Sequence, residues 1–97
     1  MLEFFNTQPA MRFAEQLVSD FDTIYKSEKA YTKADREQHF SPRYSAVVKK
    51  TQDFSKSNKM NFYKKGKLLT HLKFRLLELG YDEAQAARAV SLLLTHV

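Results

Sequence analysis

Every apolar cluster in this chain recurs at steps of three and four residues, and no run alternates apolar with polar at a step of two. That is the spacing of a helix face rather than of a half-buried strand. With only two glycines and two prolines in 97 residues, the chain also lacks the turn chemistry that a many-stranded fold needs. The pattern predicts an all-α fold, a small bundle of about four helices, with homodimerisation as one way of completing its core. A chain of this length makes one domain, residues 1–97, and can bury roughly two-thirds of its unfolded surface without a covalent staple.

The periodicity divides the chain. Asn6 and Thr7 can cap a helix that starts at Gln8-Pro9, and Ala10, Phe13, Ala14, Leu17, Val18, Phe21, Ile24 and Tyr25 then share one face. This predicts a first helix over about 8–31, ~36 Å long at 1.5 Å per residue. Such a helix either projects beyond a small core or covers a second subunit. Residues 26–41 carry no sustained apolar stripe and read as a polar connection, with one helical turn between Thr32 and Asp35. Ser41-Pro42 repeats the cap-then-proline signal, and Tyr44, Val47, Val48, Thr51 and Phe54 predict a second helix over about 42–55.

Ser55 to Asn58 form a breaker, since their side chains compete for backbone hydrogen bonds. A third helix is predicted over about 59–79, its strictest stripe being Leu69, Leu72, Leu76 and Leu79. Gly66 interrupts it and marks a break, a kink or a close helix contact. Gly80 suits the left-handed position that closes a helix. Asp82 and Gln85 have capping-box spacing, with Tyr81 and Ala86 placed as a hydrophobic staple. The fourth helix is expected over about 83–95, burying Ala86, Ala87, Val90, Leu93 and Leu94.

Several kinds of chemistry find no support in these residues. With no cysteine, a disulfide, a thiolate metal site and a cysteine nucleophile are all impossible. His39, His71 and His96 lack second ligands at helical metal spacing, so no metal site is expected, and His71 reads as a partly exposed or hydrogen-bonded residue. Gly66 and Gly80 stand alone, so no glycine-rich phosphate loop is present and no cofactor is expected. Ser41, Ser45 and Ser91 lack a nucleophile-elbow context, and no acid pair stands out for proton transfer. The chain is not expected to be an enzyme. Its N-terminus has no basic residue before Arg12 and no apolar signal stretch, and no apolar run approaches the ~20 residues that span a bilayer. A soluble, cytoplasmic protein without a membrane role is the expectation.

Charge is the feature that points toward a partner. Residues 1–42 carry a net −2, residues 43–75 a net +9 and residues 76–97 a net −2. A basic middle between acidic ends implies either an anionic partner or pairing of the middle with the ends. Lys49, Lys50, Lys56, Lys59, Lys64, Lys65, Lys67, Lys73 and Arg75 are the candidate phosphate contacts, interleaved with Tyr44, Phe54, Phe62 and Tyr63 as platforms for unpaired bases. The same aromatics sit at helical spacing, where core residues also sit. Lys64, Lys65 and Lys67 flank Gly66 with no acid near them in sequence.

At "FRLLELGYDEAQAARAV" the chain resembles the first two helices of a ubiquitin-associated domain. Leu79, Gly80 and Tyr81 match that family's Met-Gly-Phe-like loop, and Ala86, Ala89 and Val90 match its returning helix face. The resemblance implies an exposed protein-contact loop at Leu79, Gly80 and Tyr81. Read as capping chemistry alone, the same residues make a helix-to-helix corner.

Two functions remain. One is a small non-enzymatic binding or regulatory protein that holds nucleic acid, or an acidic protein surface, on the basic helical surface of residues 43–75. The other is a protein-interaction module or homodimer with no nucleic-acid role, in which Phe4, Phe5, Phe13 and Phe21 bury against a second chain.

Overall fold

The first helix, α1, covers Gln8–Glu28 and is buried along its inner face from Ala10 to Tyr25. The computed structural model describes residues 6–28 and 33–97, with the side chains of residues 28 and 33–41 left aside. The predicted extension of α1 to residue 31 and the proposed role of Phe4 and Phe5 lie outside the described residues, as does the His39 side chain. Asn6 Oδ1 accepts from the Gln8 amide at 3.2 Å. Pro9 falls in the first turn, where a missing N–H breaks no helical hydrogen bond. All eight residues of the stripe read from the sequence are buried. Phe13 and Phe21 are thus covered within one chain, which removes them as reasons for a dimer.

α1 packs against α2, Lys33–Ser57, and most extensively against α3, Phe62–Glu78. α4, Glu83–Leu93, lies along α3 and touches the end of α2. The described residues contain these four helices and no strand. A single cluster runs through them, with Leu17, Phe21, Leu68, Leu72, Leu76 and Leu93 fully buried at its centre. No helix is long and apolar enough to cross a membrane among the described residues.

α2 departs from expectation. It begins at Lys33, nine residues before the expected start, and Pro42 lies inside it. Residues 33–41 were read as a connection because they lack an apolar stripe. Ala34, Arg36, Glu37 and Gln38 are nonetheless good helix formers with no glycine among them, and the helix continues through Pro42 with one amide donor missing. Past the proline, Val47 and Thr51 are buried, and Phe54 stacks on Phe13 with ring centres 4.2 Å apart and planes 2° from parallel.

The reversal into α3 occupies residues 58–61. The Asn58 amide and side chain both donate to the Phe54 carbonyl at 3.0 Å. Lys59 takes a left-handed conformation with φ 47°, and Asn61 caps α3 by accepting from the Lys64 amide at 2.9 Å. α3 then runs without interruption. Gly66 does not break it, and a Cβ placed there would meet nothing within 4 Å, so it serves no close contact either.

The corner between α3 and α4 forms as its residues dictate. Gly80 has φ +99°. The Gly80 amide donates to Leu77 O at 3.0 Å and the Tyr81 amide to Leu76 O at 3.2 Å, the pair of bonds that closes a Schellman motif. Both halves of the Asp82–Gln85 capping box are present, at 2.8 and 3.1 Å. The buried face of α4 is Ala86, Ala89 and Leu93, with Val90 partly buried, whereas Ala87 and Leu94 are exposed. The face expected from the apolar count is therefore turned: the short alanine run offers several equivalent stripes, and the fixed corner selects Ala89 over Ala87.

Candidate nucleic-acid interface

The nine basic residues singled out from the sequence fall into two groups. Lys50 pairs with Asp20 of α1 at 2.9 Å and lies over the Phe13 ring, 5.9 Å from its centre. Arg75 donates to Glu15 of α1 at 3.1 Å and to Glu78 at 3.0 Å. Lys73 reaches Glu83 of α4 at 3.6 Å, and Lys49 reaches Asp53 at 3.8 Å. The acidic ends of the chain thus pair with three of the nine, and Asp53, the one acid of the basic middle, pairs with Lys49. Glu15 also accepts from His71, and this bond, followed by Arg75, holds its carboxyl below the ordinary range against the opposing effect of burial.

Lys56, Lys59, Lys64, Lys65 and Lys67 make up the second group. None forms an ion pair among the described residues. All five fall within twelve consecutive residues that end α2, turn and begin α3. The grouping follows from where the acids sit. Asp20 and Glu15 of α1 engage Lys50 and Arg75, Glu83 engages Lys73 where α4 starts, and Asp53, near the end of α2, lies 3.8 Å from Lys49, so among the described residues no acid pairs with a lysine of the α2–α3 corner.

The four interleaved aromatics also divide. Phe54 is spent on its stack with Phe13, and Tyr44 leans on Phe21 with ring centres 6.5 Å apart. Phe62, by contrast, is 93% exposed and Tyr63 39% exposed. Lys67 stands over the Tyr63 ring, 5.7 Å from its centre, within the range of a cation–π contact. The Asn61 cap fixes the register of α3 so that position 62 faces outward, and the core begins only at Leu68 and Leu69. Behind the lysines, Asn6, Pro9, Ala10, Phe54, Asn58, Met60 and Lys64 line a hollow of about 20 Å³. That is room for roughly one water and no small-molecule ligand.

At the other corner the three residues of the expected contact loop have different fates. Leu79 is 48% exposed and Gly80 lies open. Tyr81 turns inward: its hydroxyl donates to Asp22 Oδ1 at 2.6 Å, and its ring meets Tyr25 edge-on at 5.3 Å. Tyr25 and Asp22 of α1 thus hold Tyr81 against the core. Desolvation and then Asp22 push the Tyr81 hydroxyl pKa up, while Tyr81 and then Lys26 hold the Asp22 carboxyl low. Phe74 and Leu94 are also exposed. Among the described residues, no three His, Asp or Glu side chains converge as metal ligands would.

Compared with protein families, characterised proteins and solved structures, the chain shows no significant match, the stretch resembling a ubiquitin-associated domain included.

Proposed function

We propose that this is a small cytoplasmic, non-enzymatic protein that binds nucleic acid at the α2–α3 corner, through Lys56, Lys59, Lys64, Lys65 and Lys67. The observation that carries the reading is the division of the lysines. Four basic residues lie within ion-pair distance of acids, and five that form no ion pair among the described residues are collected in one place beside an aromatic ring that the core does not use. Among the described residues none of the five lysines is paired with a carboxylate that an incoming phosphate would have to displace, and each contact releases condensed counterions. Exposed rings among lysines suit bases better than an acidic protein surface, which offers few π faces to stack on them.

The test is fluorescence anisotropy of labelled oligonucleotides titrated over a range of salt. Five contacts predict a log–log slope of about −3 to −4 on a single strand. Changing all five lysines to Gln should abolish binding, whereas Lys49→Gln with Lys73→Gln should leave it nearly unchanged. Equal losses in the two variants, or no binding by the wild type at low salt, refute the reading. In the second case an acidic protein partner becomes the better account of the corner.

A second reading rests on Phe74, Leu79 and Leu94, three large apolar side chains left about half exposed. Such residues suit contact with another protein or a second copy of the chain. Sedimentation equilibrium over a hundredfold concentration range distinguishes a dimer from a monomer.

A further inference from the structure

We infer that the α2–α3 corner takes single-stranded rather than double-stranded nucleic acid, with the Phe62 ring as the platform on which an unpaired base stacks. The inference rests on the nucleic-acid reading above and specifies its ligand. Phe62 is the most exposed of the large apolar residues among those described, at 93%, and occupies the first position of α3, directly after the Asn61 cap. Nothing at that position requires an aromatic residue. The cap is made by Asn61, and the first turn of a helix accepts almost any side chain.

The surroundings suit a strand. Residues four apart on a helix lie one above the other, so the next turn on the face of Phe62 presents Gly66, where a Cβ would meet nothing within 4 Å. The ring therefore stands at the edge of a bare stretch of helix, with Lys65 and Lys67 on either side of Gly66 and Lys59 in the turn before the cap. Tyr63, with Lys67 over its ring, adds a second aromatic surface beside the first. A base laid on Phe62 would place the flanking phosphates among these lysines. In a duplex both faces of every base are already covered by neighbours, so the ring would gain nothing from it. Unpaired bases offer a free π face whatever their identity, which makes such a contact tolerant of sequence.

The experiment compares a single strand, a duplex and an abasic strand of equal length, the last carrying the phosphate charge without bases. Wild-type protein should bind the single strand most tightly. Phe62→Ala should weaken single-strand binding by about 5- to 100-fold, with the salt slope and the affinity for duplex and abasic strand unchanged. Phe62→Leu keeps an apolar side chain but loses the π face, and should resemble Phe62→Ala; Phe62→Trp should bind at least as well as wild type. Circular dichroism and thermal midpoints of the variants should match wild type, because the side chain lies outside the core. The inference is overturned if Phe62→Ala binds the single strand like wild type, if it loses the same factor on all three ligands, or if Phe62→Leu retains full affinity. In each case salt-dependent binding by wild type would leave the lysine reading standing. Failure of wild type to bind any of the three at low salt would overturn both.

Discussion

Replacing Gly66 by alanine should stabilise this protein, although it alters a glycine in the middle of its best-packed helix. Gly66 lies inside Phe62–Glu78, is exposed, and has no heavy atom within 4 Å of where a Cβ would stand. The substitution therefore gains the helix-propensity difference of about 0.8–1.0 kcal/mol without a steric cost. With an unfolding entropy near 2 cal/mol/K per residue, a domain of this size should melt about 5 °C higher. Urea unfolding followed by circular dichroism should show a higher midpoint at an unchanged m-value. Gly80→Ala provides the contrast. Its site is equally open, but φ is +99°, a conformation that costs a residue with a Cβ about 1–2 kcal/mol, so the same change should lower the midpoint. A destabilised Gly66→Ala would mean that the backbone at 66 is not regular helix, and would refute the reasoning. Equal responses at the two glycines would refute it as well.

Other perturbations have equally definite signs. Tyr81→Phe removes the hydrogen bond to Asp22 and should cost about 1–2 kcal/mol at neutral pH. Asp22 titrates low in the folded state, so its contribution is complete above the unfolded pKa of about 4 and disappears as pH falls through the lower folded value. Urea titrations at pH 7 and pH 2.5 should show the gap between wild type and variant closing in acid. Lys59→Gly relieves a left-handed lysine and should raise stability by about 1 kcal/mol. In oligonucleotide titrations the same variant should flatten the salt slope by about 0.7. Leu72→Ala empties part of the fully buried centre and should cost about 2–5 kcal/mol by denaturant titration.

The elements most legible in the sequence were those whose boundaries and packing rest on the same residues. In α1 the apolar stripe from Ala10 to Tyr25 is also the buried face, and at the third corner Gly80, Asp82 and Gln85 each have one conformational use. The first nine residues of α2 escaped because periodicity detects burial, whereas a helix without an apolar stripe is held by propensity alone. Ser41-Pro42 reads locally like a helix start, and nothing nearby in sequence shows that the helix is already under way. The candidate site was legible as a region but not in its parts. That Lys50, Lys73 and Arg75 are occupied depends on Asp20, Glu83 and Glu15, and for Lys50 and Arg75 the acid is thirty or more residues away. Phe54 and Phe62 look alike as aromatics among lysines until the stack on Phe13 claims the first.

Local preferences and global packing agree over much of this fold; they part company at Pro42, inside α2, and again at the α2–α3 corner. Lys59 adopts a backbone conformation in which glycine would cost less. Seven residues on, Gly66 occupies a helical position where alanine would cost less and nothing needs the space. Between and around them lie five lysines that form no ion pair among the described residues, Lys64 and Lys67 being three apart on α3, where like charges repel, and Phe62 leaves its ring in water. Each departure at the corner is worth about a kilocalorie or less, and packing accounts for none of them. Sequences that are largely consistent elsewhere keep such costs where a surface is used. A bound polyanion would turn the lysine repulsion into attraction, and a stacked base would cover the ring. The two unfavourable features that depend on an empty surface are those the proposed ligand would remove.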